Sequence, residues 1–179
     1  AFAHSPAAGE GGSVAAGGQN LAGEHIQEVA FSSDGTIWDL TQGLTLTAAD
    51  GSMVLYGTTY ADTLTSEGHY DYLYGYEGND LLVGSGGTVL QGDSGNDTYV
   101  FTAGSASTTY GGDHIYEDAG AGTDTIAFHG IDPADVAMWT NQYGELMIQY
   151  STGDQVIVEG GGYSSSTGFT VGNVEQITF

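Results

Sequence analysis

The chain has no lysine and no arginine against 23 aspartates and glutamates, so its formal charge is −23. No ion pair to Lys or Arg can form, and the five histidines are the only side chains able to turn cationic. Self-repulsion of this kind opposes a compact state. A metal cation is the missing counter-charge. The same absence excludes Schiff-base and Ser–Lys chemistry and leaves no basic clamp for phosphate. The acidic excess argues against a nucleic-acid partner, whose phosphates would be repelled. Cysteine is absent too, which removes disulfide staples and thiol chemistry. No apolar run approaches the ~18 residues of a membrane span. There is no Gly-x-Ser-x-Gly elbow and no His-Glu-x-x-His zinc helix. His25, His114 and His129 stand without a ligand-spaced partner, which argues against zinc. The sequence reads as a non-enzyme.

What is present argues for order. High charge and 31 glycines favour disorder, but 40% of the residues are hydrophobic and 12 are tyrosine. Asp62, Asp71 and Asp80 fall nine residues apart, each followed two positions later by a leucine: Leu64, Leu73, Leu82. The beat continues through Leu90 and through Asp97 with Tyr99. Turn preference alone accounts for Asp and Gly in loops. It does not account for a period of nine held in register with an apolar position. Glycine-rich turns followed by Asp-x-hydrophobic at this period are the mark of a calcium-loaded parallel β-roll. The clearest copies are Gly75-Tyr76-Glu77-Gly78-Asn79-Asp80-Leu81-Leu82 and Gly92-Asp93-Ser94-Gly95-Asn96-Asp97-Thr98-Tyr99. On these residues the chain resembles the hemolysin-type calcium-binding, or RTX (repeats-in-toxin), family.

That resemblance implies an all-β fold: a parallel β-roll, or solenoid, with flanking β-rich cap segments. Aligned as Gly-Gly-x-Gly-x-Asp-x-U-x, the repeats run 57–65, 66–74, 75–83, 84–91 (one residue short) and 92–100. Each makes half a coil, so turns one, three and five share one edge and turns two and four the other. The family places Ca2+ between neighbouring turns of an edge, held by main-chain carbonyls and the position-six aspartates in an oxygen cage. The implied ligands on the first edge are Asp62, Asp80 and Asp97. The implied turn residues are Gly57, Thr59, Gly75, Glu77, Gly78, Gly92, Ser94 and Gly95. That predicts two ions there, with Asp80 serving both. The second edge has Asp71 as a weaker ligand, but Thr88 stands where the next aspartate belongs, so a site there is expected to be weak, empty or replaced by side-chain hydrogen bonds. Asp113, Glu117, Asp118 and Asp124 read as solvated face or turn positions, with a further ion among these four, Asp113 and Asp124 foremost, as the alternative.

The predicted organisation is a Gly/Ala-rich arm (1–20), an N-terminal β segment (21–50), the calcium-binding roll (51–103) and a β-rich cap (104–179). Ile26–Phe31 and Val174–Phe179 share a pattern of aliphatic, two polar, aliphatic, small or polar, Phe. In the family this strand commonly runs on into a segment like Asp34-Gly35-Thr36-Ile37-Trp38. Three strands are legible in the cap, 136–140, 145–150 and 155–159, after a helical turn capped by Asp132 with Pro133 first. Tyr70, Tyr72, Tyr74 and Tyr76 fall on one face if extended. Trp38 and Trp139 read as core or edge cover before sugar platforms.

The functional expectation is a secreted calcium-binding structural module. The resemblance implies export unfolded through a type I channel and folding in extracellular calcium, and head-to-tail self-association into a fibre or surface layer is expected besides. The alternatives are an adhesin with a polysaccharide partner, or the non-catalytic module of a larger secreted enzyme such as a protease or lipase.

Overall fold

The computed structural model describes residues 28–30, 37–49, 51–104, 112–117, 122–159, 162–164, 168–170 and 173–179. The predicted arm (1–20) and Asp118 lie outside them. Seventeen short strands and two 3₁₀ turns are present among the described residues.

The repeat strands alternate between two sheets. The first sheet takes β3 (Thr45–Ala48), β5 (Thr63–Ser66), β7 (Leu81–Val83), β9 (Thr98–Thr102), β11 (Thr125–His129) and finally β17 (Gln176–Thr178), all paired in parallel. The second takes β4 (Val54–Tyr56), β6 (Tyr72–Glu77), β8 (Val89–Ser94) and β10 (Asp113–Tyr116), also in parallel. It is completed by the antiparallel meander β14 (Asp154–Val158), β13 (Leu146–Ser151) and β12 (Ala137–Thr140). Two small antiparallel pairs stand apart: β1 (Glu28–Ala30) with β2 (Ile37–Asp39), and β15 (Gly162–Ser164) with β16 (Gly168–Thr170).

One coil consumes two repeats. Edge partners are therefore 18 residues apart (Asp62 and Asp80) and 17 where the short fourth repeat intervenes (Asp80 and Asp97). Because strand side chains alternate, every second residue points inward. The apolar position of each repeat thus forms a continuous file. In the first sheet Leu46, Leu64, Leu82, Tyr99, Ile126 and Ile177 are successive register partners. In the second, Leu55, Leu73, Leu90, Ile115 and Val158 are. The members from Leu64 to Ile126 and from Leu73 to Val158 are wholly buried. At ~1.5–3 kcal/mol per buried side chain, these two files dominate the apolar stabilisation. Toward the far end an aromatic group packs together, with Phe128 tilted against Tyr150 (ring centroids 4.9 Å) and stacked on Phe179 (5.5 Å).

The solenoid is longer than the predicted 51–103. β3 already belongs to it, and β10, β11 and β17 extend both sheets past residue 104. The three cap strands form close to their predicted places. The helical turn is the 3₁₀ segment Pro133–Asp135, with the Asp132 carboxylate accepting from the Ala134 amide at 2.9 Å.

Candidate metal centre

Along the first edge, each aspartate accepts the main-chain amide of the aspartate one coil earlier. Asp80 Oδ1 takes the Asp62 N–H at 2.8 Å, Asp97 Oδ1 takes that of Asp80 at 2.7 Å, and Asp124 Oδ1 takes that of Asp97 at 2.8 Å. Asp62 begins the series by accepting from Leu44, and Glu175 ends it by accepting the Asp124 amide at 2.7 Å. The four aspartates are buried. The turns between them stack closely. A Cβ on Gly95, whose φ is +145°, would lie 1.4 Å from the Gly78 carbonyl oxygen, and one on Gly122 1.5 Å from that of Gly95. Only glycine allows this approach. Asparagines lace the same turns: the Asn79 side-chain oxygen accepts from Asn96 N–H, and that of Asn96 from Thr123 N–H, each at 2.8 Å.

What the chain leaves unpaired defines the site. Asp80 Oδ2, Asp97 Oδ2, Asp113 Oδ2 and both oxygens of Glu117 are buried without a hydrogen-bond partner. Asp62 differs, because Thr58 donates to both of its oxygens. Gly57, Gly75 and Gly92 keep space for these carboxylates. A Cβ there would meet Oδ2 of Asp62, Asp80 and Asp97 at 2.5, 2.2 and 2.2 Å. Around the predicted turn residues, Gly78 N–H donates to the Ser94 carbonyl at 2.9 Å, while Thr59 and Glu77 are exposed.

Burial raises the proton affinity of these acids. Burial, and then the neighbouring Asp97 and Asp62 charges, lift Asp80 to about 7 against the hydrogen bond from the Asp62 amide. Asp97 rises to about 6, Asp113 to about 7 and Glu117 to about 9, each chiefly through burial. Buried, unpaired carboxylate oxygens with no Lys or Arg in the chain fit a hard, oxygen-seeking cation such as Ca2+.

The second edge is built differently. Asp71 accepts from the Met53 amide and from the Ser66 hydroxyl at 2.8 and 2.7 Å. The Thr88 hydroxyl lies 3.0 Å from Ser66 Oγ and donates to the Ser85 carbonyl. Side-chain hydrogen bonds therefore occupy the place where a second aspartate would stand.

Three acids expected in solvent are not there. Asp113, Glu117 and Asp124 are buried, because the coils continue beyond the nonapeptide period and carry these residues inward. Asp113 accepts the amides of Gly87 and Thr88 at 3.0 and 2.7 Å, closing the second edge as Asp124 closes the first. Sequence reasoning placed Glu117 in solvent first and at an ion only second, although a signal for burial was legible. Asp113-His114-Ile115-Tyr116-Glu117 keeps the Asp, the aliphatic third residue and the Tyr of Asp71-Tyr72-Leu73-Tyr74-Gly75, with Glu in place of Gly.

Comparison with known proteins agrees. The family model of the RTX calcium-binding nonapeptide repeat (4 copies) matches residues 54–88. Residues 54–88 therefore carry RTX calcium-binding nonapeptide repeats. The solution structure of the AlgE6R3 subunit from the Azotobacter vinelandii mannuronan C5-epimerase is similar at 25% identity over 67% of this chain and 72% of that one, with a TM-score of 0.44. No curated protein sequence matches the chain.

Proposed function

We propose that this is a structural module that folds on binding calcium outside the cell and then stacks head to tail on copies of itself. The observation that carries the folding part is the file of buried, unpaired carboxylate oxygens in a chain whose only side chains able to turn cationic are histidines. Extracellular calcium modules bind with dissociation constants of ~10⁻⁴–10⁻³ M. At cytosolic calcium, far lower, the carboxylates repel one another and the coils stay open. That suits a chain exported unfolded. Outside, metal binding becomes folding free energy.

Assembly is supported by the sheet ends. β3 and β17 terminate the same all-parallel sheet, so β17 of one copy can continue into β3 of the next without changing strand direction. Such a contact is heterologous and need not close, and an end strand offers main-chain groups for pairing. A glycan-binding reading has one observation in its favour. Trp139, Met147, Ile157, His114, Val89 and Tyr72 form a row across the second sheet, with Tyr72 and Trp139 exposed. Retention on a polysaccharide column would favour that reading. Membership of a larger secreted enzyme stays the other alternative.

The test is light scattering and circular dichroism on one sample, first chelated and then in millimolar calcium. Strand signal and particle mass should both rise. An unchanged spectrum in excess chelator overturns calcium-dependent folding. A folded monomer at high concentration in saturating calcium overturns assembly alone.

A further inference from the structure

The outer face of the second sheet takes no part in the chemistry of the edges. Leu55, Leu73, Leu90, Ile115 and Val158 point inward, so the residues flanking each of them point out. One outward row is the one that ends at Trp139, described above. A second row lies beside it, two residues away along each strand. In it Tyr56 pairs with Tyr74, Tyr74 with Gln91, and Gln91 with Tyr116. The rings of Tyr56 and Tyr74 stack at 5.5 Å, and Tyr76 joins them at 6.2 and 6.5 Å. Tyr56, Tyr76 and Tyr116 are all exposed. A contiguous exposed aromatic surface of this kind marks an interaction site.

Past Tyr116 the second row turns from aromatic to acidic. Glu159 follows Val158, the register partner of Ile115, and so stands beside Tyr116, whose hydroxyl donates to it. Glu145 stands next to Glu159 across the antiparallel pair, and the two carboxyl groups are hydrogen-bonded to each other. His114 Nδ1 lies 2.7 Å from Glu159 Oε1, and the Asn141 amide donates to Glu145 Oε2 at 2.6 Å. Hydrogen bonds from Asn141 and then Glu159 hold the Glu145 carboxyl below its ordinary value, while burial and then Glu145 push that of Glu159 above it. The pair thus shares one proton. An incoming ammonium group can replace that proton with an N–H donor and a positive charge.

Dimensions narrow the choice of ligand. Seven strands at ~4.8 Å spacing make the rows about 30 Å long, and the two rows lie only ~7 Å apart. A strip of roughly 30 Å by 10 Å falls well short of the ~800 Å² that each side of a standard protein interface buries. It fits a narrow linear polymer laid along the roll. A sugar ring offers an apolar C–H face to the tyrosines and a polar rim to Gln91, Asn141 and the two glutamates. Charge then decides which sugar. Polyanionic glycans are repelled by a chain with 23 acidic residues and no Lys or Arg. Ammonium groups complement both the Glu145–Glu159 pair and the tyrosine rings. We propose that the outer face of the second sheet binds a linear amino-sugar polymer, with its rings on the tyrosine row and its ammonium groups at Glu145 and Glu159. The proposal rests on the glycan-binding reading given above, and it uses neither the calcium between turns nor the sheet ends.

The experiment is isothermal titration calorimetry on the whole chain in saturating calcium, in mildly acidic buffer that keeps sugar amines protonated. The probes are a glucosamine hexamer, its N-acetylated form and a lysine hexamer. The glucosamine hexamer should bind at least about tenfold more tightly than either of the others. Tyr74→Ala and Glu159→Gln should each weaken it about tenfold, with the strand signal in circular dichroism unchanged. Should Glu159→Gln not fold, Glu145→Gln reads the same pair. Equal binding of the N-acetylated form overturns the amino-sugar site and leaves glycan binding standing. Equal binding of the lysine hexamer, with Tyr74→Ala without effect, shows attraction by charge alone and overturns the site. No binding of either sugar overturns the site and the glycan-binding reading together.

Discussion

Each aspartate of the first edge has two tasks. One oxygen satisfies an amide of the preceding coil, and for Asp80 and Asp97 the other is buried without a hydrogen-bond partner, which is what the proposed calcium would supply. Asp71 spends both oxygens on hydrogen bonds. Asp80→Ala therefore removes a proposed metal ligand and the acceptor of the Asp62 amide together. Removing one partner of a buried charged site costs about 3–5 kcal/mol, and the calcium midpoint of folding should rise steeply. Asp71→Ala loses hydrogen bonds worth ~1–3 kcal/mol, with a much smaller shift of that midpoint. Calcium titrations followed by circular dichroism compare them, and equal shifts would show that the two edges were assigned wrongly. Asp62, Asp80 and Asp97 were legible because their spacing locks to the leucine file. Asp113 and Asp124 were not, because longer turns break the nine-residue count before them while leaving their Asp-x-Ile pattern in place. Glu117 was hidden for another reason: a glutamate before Asp118 looks like part of a solvated acidic run, and only register reveals that it holds a glycine's place.

Elements here are short, most of three to six residues, and no strand is stable by itself. Stacking of turns supplies the order, and glycine sets how closely they stack. Gly95→Ala would drive a methyl group into the Gly78 carbonyl, so it should separate neighbouring turns and abolish the calcium-induced strand signal. Gly104 provides the comparison. Its φ is +82°, but nothing lies within 4 Å of an added Cβ. Gly104→Ala should then cost only the left-handed backbone penalty of ~1–2 kcal/mol. Thermal melts in saturating calcium separate the two, and a Gly95→Ala protein as stable as Gly104→Ala would refute close turn stacking. The meander strands and the Asp132 cap were readable from alternation and turn chemistry. The boundary between roll and cap was not, since strands on both sides of residue 104 join the same two sheets and the pairing depends on contacts distant in sequence.

At the scale of the whole molecule, the charge of −23 must be answered by protons or by calcium. Burial holds the Asp80 and Asp113 carboxyls at about 7, Asp97 at about 6 and Glu117 at about 9, all above their ordinary values of 3.8 for Asp and 4.5 for Glu. A carboxyl whose proton affinity rises on folding makes the folded state bind more protons than the unfolded one across the interval between the two values. Metal-free stability is then fully present below about pH 4 as far as these groups contribute. It is lost as pH rises through about 6 to 7, and through about 9 for Glu117. Calcium competes with the same protons, so its stabilisation grows over that interval. In excess chelator the strand signal should therefore be stronger at pH 5 than at pH 8. In millimolar calcium the ranking should reverse, because at pH 5 protons occupy the ligand oxygens and at pH 8 the metal does. Thermal melts by circular dichroism at the two pH values, with and without calcium, test this. A chelated chain that melts at the same temperature at pH 5 and pH 8 would show that these carboxylates do not control the fold. A calcium effect equal at both pH values would show that the metal binds elsewhere, on carboxylates that remain exposed and ionised throughout.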